Sequence, residues 1–451
     1  MKNLNSKLIT SVIFICLVIF FFSCNDNTTN TPKDPVQLKI AVVTDLHIYD
    51  PNLGVSGEEF EKYLAGDRKM IAESQAITNS ALNTISSLLS DIVLIPGDLT
   101  KDGEKVSHEM LANMLAQLET KGKKVFVIPG NHDILNPHSY KYLSAGGKQK
   151  IDHITAAQFA EIYKNFGFNE AKYRDNNSLS YIVELNSNFW LFAIDGCIYE
   201  NNLSQDYPTT GGRISSATLS WLKEKLAEAK SKNIMPIAMA HHGLVDHFPG
   251  QALVFAEYLF TDYINLQKEL TNAGLKIIFT GHHHAQDISK ADISSSFIFD
   301  VQTGSTVTYP CPIRYVEIDK DKQTVNIESK RISSIEYNLG GKSFQEYALN
   351  KLLDGFPALV IAQLKQLGAD ETSAALLEPI VTQSLVAYYQ GDEPKQITPV
   401  ITQTINQLKA YPDNNVKLIA SLLEGIWNDP TPDNSVLIDL KTGAITDKNT
   451  K

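Results

Sequence analysis

Apolar and polar positions along this chain fall into two regimes. Between Leu38 and Thr280, short apolar runs recur: LKIAVVT (38–44), DIVLIPG (91–97), KVFVIPG (124–130), FWLFAID (189–195), IMPIAMA (234–240) and KIIFT (276–280). They are rich in Val and Ile and nearly continuous in hydrophobicity, which predicts strands buried on both faces. Over Ile77–Leu89, Lys105–Leu118 and Ala217–Lys232 the apolar residues instead recur at three and four positions, the spacing of one helix face. Strands alternating with helices predict an α/β sheet domain. Asn136–Ser178 interrupts the alternation as a long insertion, with a helical patch near Ala156–Tyr163 that could cover one face of the sheet domain. From about Ser343 to Trp427 the pattern is helical, with breaks at Gly391–Pro394 and Tyr411–Asn415, and predicts three or four packed helices. The short Val436–Thr446 piece can add a strand or hairpin.

The first residues follow a different rule. Lys2 and Lys7 precede an almost wholly apolar stretch, Leu8–Phe22, and Ser23 stands before Cys24. The stretch is short for a spanning helix and reads as an export signal. Its Phe-Phe-Ser-Cys ending resembles the lipobox of bacterial lipoproteins, with Phe21 where Leu is usual. That resemblance implies a signal peptide over residues 1–23 and a lipid on Cys24, anchoring an extracytoplasmic protein to a bacterial membrane. The alternative is an uncleaved anchor, which also places the remainder outside the cytoplasm. Residues 24–37 are polar, contain two prolines and read as a tether.

Composition narrows the function. With 451 residues, 43% hydrophobic and 20% charged, the chain has ample length for a sizeable core and no collagen-like or low-complexity bias. Its formal charge of −11 argues against a broad nucleic-acid-binding face, which needs the opposite balance. Four cysteines are too few for a disulfide scaffold, and Cys197 and Cys311 could equally form one disulfide or be two buried thiols.

The histidines gather where the predicted strands stop. Asp45-Leu46-His47 follows the first run, Gly97-Asp98 the second, and Gly130-Asn131-His132-Asp133 the third. His241-His242 follows IMPIAMA, and Gly281-His282-His283-His284 follows KIIFT. That strand edge is where open α/β sheets bind ligands. Alternate residues of an extended chain share a face, so Asp45 and His47 can aim at one point. Carboxylate, imidazole and amide donors together suit Mn, Fe or Zn.

In this order the five clusters resemble the signature of the calcineurin-like metallophosphoesterases: D-x-H, G-D, G-N-H-[D/E], H and G-H-x-H. The resemblance implies an α/β fold of two mixed sheets face to face with helices outside, over 38–335, followed by a smaller, mainly helical domain over 343–451. It implies two divalent metal ions, one held by Asp45, His47 and His284, the other by Asn131, His241 and His282, with Asp98 bridging. His241 is preferred to His242 as the first polar residue leaving its strand, and the outer two histidines of GHHH satisfy H-x-H. A phosphate ester would be attacked by a hydroxide generated between the metals, with His132 as general acid. The family often places an acidic residue three after the Gly-Asp aspartate; here that position is Lys101, and Asp102, one later, is the candidate orienting partner of His132. The Arg that follows in the protein phosphatase branch is replaced by Asp102-Gly103. GDLTKDGEKVSHE is closer to the cyclic-nucleotide phosphodiesterase-type branch.

The expected function is therefore hydrolysis of phosphodiesters, cyclic nucleotides among them, although an exported enzyme would meet surface or periplasmic substrates and not a cytoplasmic messenger. A phosphomonoesterase or nucleotidase is the alternative. It would need cations to grip a dianion, for which Lys141, Lys148 and Lys150 in the insertion are candidates. A non-catalytic surface interaction protein on the same scaffold is the third reading.

Overall fold

The computed structural model describes residues 35–429 and 431–449. Residues 1–34, with the export signal, Cys24 and most of the tether, lie outside the described residues.

In chain order the strands are β1 (Gln37–Val42), β2 (Ile92–Pro96), β3 (Lys124–Ile128), β4 (Tyr140–Tyr142), β5 (Lys148–Lys150), β6 (Tyr173–Arg174), β7 (Tyr181–Asn186) and β8 (Phe189–Ile194). They continue with β9 (Met235–Ala240), β10 (Ile277–Thr280), β11 (Asp287–Ile293), β12 (Ser296–Gln302), β13 (Pro312–Asp319), β14 (Thr324–Arg331), β15 (Ser435–Asp439) and β16 (Ile445–Asp447). One seven-stranded sheet has the order β16-β15-β14-β13-β1-β2-β3, and the other β11-β12-β10-β9-β8-β7-β6. The second sheet is parallel at its centre, β8-β9-β10-β12, with antiparallel strands outside, whereas in the first the parallel strands β1-β2-β3 form one side, ending at edge strand β3, and the antiparallel strands follow beyond β1.

The six apolar runs form β1, β2, β3, β8, β9 and β10, every parallel strand but β12, and every residue of β2, β8 and β10 is buried. Parallel strands are covered on both faces, which is why they carry no polar alternation. The main core lies between the sheets and extends under the C-terminal helices, joining Ile40, Val93, Val127, Leu191, Ile237 and Phe279. A second core forms on the outer face of the second sheet, where Trp190 and Phe192 meet Leu222, Leu226, Leu266 and Leu270 of helices Ser216–Ser231 and Tyr263–Ala273. The fold is thus the α/β sandwich of two mixed sheets, with an additional C-terminal helical region.

Among the described residues that region has four α-helices: Phe344–Gln366, Glu371–Gln390, Pro399–Lys409 and Asn414–Trp427. Each begins at a side-chain cap, from Ser343, Asp370, Thr398 and Asp413 in turn, which satisfies an otherwise orphaned backbone N–H. The breaks at Gly391 and before Asn414 match the sequence pattern, and a further break at Leu367–Asp370 separates the first two helices. The final hairpin, β15–β16, returns to the first sheet, with β15 pairing against β14. A cut ahead of residue 343 would therefore remove two strands from that sheet. Within the insertion, helix Ala156–Ile162 occupies the expected patch, while the β4–β5 hairpin has no counterpart in the apolar pattern. Cys197 and Cys311 are both free and buried. No helix among the described residues is long and apolar enough to cross a membrane.

Candidate metal centre

The C-terminal ends of β1, β2, β3, β9 and β10 converge on one rim of the sandwich. Asp45, His47, Asp98 and His284 place ligand atoms within 4.8 Å of one another, and Asp98, His241 and His282 do the same. Asp98 belongs to both clusters, so the arrangement has two lobes sharing one carboxylate. Asn131 faces the second lobe, its Oδ1 lying 3.1 Å from His241 Nε2. All seven side chains are buried.

The backbone that aims these groups is not extended. Asp45, His47, Asp98, His282 and His284 have φ of 51°, 38°, 48°, 72° and 66°. The left-handed region costs a non-glycine residue on the order of 1–3 kcal/mol and persists only where neighbours over-determine it. Here Asp45, His47 and Ile48 donate their N–H groups to the carbonyls of Gly97, Asp98 and Leu99. Asp45 and His47 thus meet through a paired loop, not through the strand alternation that their spacing suggests. Two glycines permit the close approach. A Cβ on Gly130 would lie 2.1 Å from Asp98 Oδ1, and one on Gly281 would lie 2.5 Å from Asp45 Oδ2.

Neighbouring groups fix the imidazoles. His241 Nδ1 donates to the Pro96 carbonyl at 2.9 Å, which leaves Nε2 facing Asn131 and, at 3.5 Å, Asp98 Oδ2. His284 Nδ1 is 3.1 Å from Thr308 Oγ1, and its Nε2 sits 3.2 Å from His47 Nε2 and 3.4 Å from Asp45 Oδ1. Burial pushes His47 and His282 well below the ordinary histidine range and His284 down to about 4, so these rings are neutral. Burial would raise Asp98, but His241, His132 and His47 around it hold its carboxyl well below the usual range. Burial would lower His241 as well, but Asp98 raises it to about 9. Lone pairs from the neutral His47, His282 and His284 rings, carboxylate oxygens and an amide therefore crowd together at 3–4 Å, an arrangement that a cation stabilises. The donor set fits two divalent metal ions, one in each lobe.

His132 lies beside the first lobe, its ring 4.9 Å from that of His47 and its side chain 21% exposed. Its Nδ1 meets Asp102 Oδ1 at 2.9 Å, and its backbone N–H donates to Asp98 Oδ1 at 3.0 Å. Burial pushes His132 down, but Asp98 and Asp102 more than offset this and raise it. Lys101, wholly buried, hydrogen-bonds Asp102 Oδ2 and packs over the Tyr63 ring at 4.1 Å. Burial would raise Asp102 as well, yet Lys101 and His132 hold it ionised.

The remaining motif histidines point elsewhere. His242 Nε2 is 2.8 Å from the Thr210 carbonyl. His283 stacks on Tyr258 at 4.4 Å, and its Nδ1 is 3.3 Å from the Tyr388 hydroxyl of the second C-terminal helix. Beside it lies a cavity of about 240 Å³, lined by Arg68, Phe248, Phe255, Tyr258 and C-terminal leucines. The insertion lysines are engaged at the surface: Lys148 with Glu59 at 3.4 Å, Lys150 with Asp206 at 3.3 Å, while Lys141 is exposed on β4.

Besides Thr308, sequence reasoning assigned no role to three supports. Asp133 accepts from the N–H groups of Leu99, Thr100 and Gly130, tying the Gly-Asp loop to the Gly-Asn-His-Asp loop. Thr44 Oγ1 donates to Asp45 Oδ2 at 2.7 Å, and Ser305 Oγ donates to the Asp45 carbonyl at 2.7 Å. Asp133 stood inside a quoted motif and could have been singled out; Ser305 and Thr308 carried no local signal.

Residues 38–286 match the family model described as calcineurin-like phosphoesterase, and the chain belongs to that family. Among curated proteins, a probable cyclic nucleotide phosphodiesterase of Coxiella burnetii is 33% identical over 103 residues, 22% of this chain and 33% of that protein. The chain thus spans about a third of the length of that relative. A dimetal phosphatase from Danio rerio aligns at 14% identity and a TM-score of 0.47, covering 66% of this chain and 97% of that one. A purple acid phosphatase from yellow lupin (Lupinus luteus) seeds aligns at 13% identity and 0.41, covering 66% and 52%.

Proposed function

We propose that the protein is a dinuclear-metal phosphodiesterase, with cyclic nucleotides among its candidate substrates. The observation that carries the diester reading is that the two lysines near the centre are already compensated. Lys69, whose charge reaches His47 and His132, pairs with Asp67 at 3.2 Å, and Lys101 is held by Asp102 and Glu104. With neither lysine free to grip a dianion, the site favours a monoanionic diester; Arg68, whose charge reaches His283 and His284, lies behind the centre on the cavity side. The similarity to the Coxiella phosphodiesterase points the same way.

Asp45, His47 and His284 would hold one cation, Asn131, His241 and His282 the other, and Asp98 both. When bound, the two ions supply charge neutralisation for the phosphoryl oxygens and a nucleophile from water at neutral pH. The chain supplies the rest. Asp102 accepts the Nδ1 proton of His132 and fixes the ring, so that Nε2 presents a proton to the departing ester oxygen. Asp98 accepts the His132 backbone N–H, tying the acid to the shared carboxylate. Gly130 and Gly281 keep side-chain bulk away from Asp98 and Asp45.

The test compares bis(p-nitrophenyl) phosphate with p-nitrophenyl phosphate after metal stripping and reloading with Mn, Fe or Zn, followed by a cyclic-nucleotide panel. Faster metal-dependent cleavage of the diester is the expected result, and a monoester preference would overturn the reading. We further propose that residues 1–23 direct export and that Cys24 carries a lipid anchor. Cys24→Ser is expected to move the protein from the membrane to the soluble fraction, and an unchanged distribution would refute the anchor.

A further inference from the structure

A second group of buried acids lies away from the rim, where the C-terminal helical region meets the second sheet. Asp287 opens β11, Asp429 and Asp433 lie between the last helix and β15, and the three place ligand atoms within 4.8 Å of one another. Glu393, in the turn after the second C-terminal helix, faces the charges of all three. None of the four is more than 5% exposed.

The hydrogen bonds of this group leave a deficit. Asp433 is satisfied, accepting from the N–H groups of Ile288 at 2.9 Å and Asp392 at 2.6 Å. Asp287 accepts from His247 Nδ1 at 2.7 Å and Asp429 from the Thr431 N–H at 3.2 Å, each through one oxygen only. Asp287 Oδ2, Asp429 Oδ2 and both oxygens of Glu393 have no partner. The nearby cations compensate this group only in part, through His247 on one oxygen of Asp287. Arg314, fully buried, donates to the carbonyls of Asp433, Gln302 and Asp287 and to Ser329, and to none of these carboxylates. His247 lies between Asp287 and Asp300, and Lys395 pairs with Asp392 and Asp447. Burial, with repulsion from Asp287, pushes Asp429 up to about 8, and burial with neighbouring carboxylates lifts Asp433 and Glu393 well above the usual range. Unpaired buried carboxylates of this kind are strongly destabilising unless something neutralises them.

We propose that Asp287, Asp429 and Asp433, with Glu393 beside them, bind a calcium ion that fastens the C-terminal region to the second sheet. The available donors are all oxygens, which selects a hard cation. An enclosed, carboxylate-rich cage suits calcium, whereas magnesium keeps several waters and demands strict octahedral geometry. The site is separate from the two-lobed centre and is independent of the proposed phosphodiesterase activity.

The test uses the full chain, stripped with EDTA and reloaded with manganese alone. Added calcium is expected to raise the melting temperature by about 3–5 °C at a hundredfold excess over Kd. Elemental analysis after dialysis should then find one calcium per chain. The Asp429→Asn/Glu393→Gln double variant should lose both effects, keep its manganese, and melt no lower than the calcium-free parent, because a repulsion has been removed. Asp98→Asn should retain the calcium shift. Absence of bound calcium and of a shift in the parent would overturn the proposal, as would a shift surviving in the double variant or an equal response to magnesium. Should the double variant not fold, Asp429→Asn alone is expected to weaken calcium affinity about tenfold or more in a titration, and unchanged affinity would overturn the site.

Discussion

The rim of the sandwich and the seam beneath the C-terminal helices both bury several carboxylates, and they handle the charge differently. At the rim, acids alternate with imidazoles whose rings are held by Pro96 and Thr308, and the ligand-bearing loops follow strand ends. At the seam the acids stand without interleaved imidazoles, apart from His247 on one oxygen, and they come from a strand, a turn and a connecting segment. A mixed donor set on strained loops suits borderline metals and chemistry, and an all-oxygen cage between two packed regions suits a structural ion. Burial alone does not distinguish a reactive centre from a fastening; the partners of each carboxylate do.

The comparison can be broken most forcefully at the shared carboxylate. Asp98→Asn is expected to lower metal-dependent hydrolysis by about 10³-fold or more, since the ions' charge stabilisation is worth several kcal/mol. Turnover and metal content measured together check this, and near-normal turnover would remove Asp98 from its bridging role. His132→Gln should cost about 10²–10⁴-fold with a poor leaving group and far less with p-nitrophenolate, which needs no proton. Equal losses on both esters would make His132 a positioning residue. Gly281→Ala inserts a Cβ 2.3 Å from Thr44 Oγ1. Such overpacking costs about 1–3 kcal/mol, so weaker metal binding and a lower melting temperature are expected, read by titration and calorimetry. The smallest effect belongs to Tyr388→Phe, which removes the hydroxyl 3.3 Å from His283 Nδ1, a link between rim and helical region. A loss of about 0.5–1.5 kcal/mol in stability with kcat/KM changed less than threefold would show that the link is mechanical.

The two regions were not equally legible beforehand. Rim residues sit directly after apolar runs, so a strand pattern and a local D-x-H or G-N-H-D spacing flag them together. Even there the local geometry escaped the pattern: the D-x-H pair meets through positive φ and the Gly97–Leu99 carbonyls, not through alternation along a strand. Asp102 was identifiable as a neighbour of the expected acidic position, but that Lys101 folds back to hold it was not. Ser305 and Thr308 brace the rim from a loop with no motif. At the seam nothing local distinguishes Asp429 or Glu393 from surface acids, because their burial follows from four helices and a hairpin packing onto a distant sheet edge.

The sequence by itself determined six of the parallel strands, the helical C-terminal region, the five clusters and the family to which they belong. These depend on hydrophobic period and short-range spacing, which act over a few residues. Only the tertiary structure decided that β15 and β16 complete the first sheet, that Cys197 and Cys311 remain unpaired, and that Asp287 and Asp433 share a buried site. Those outcomes depend on which distant segments exclude water from one another, and no local pattern encodes that.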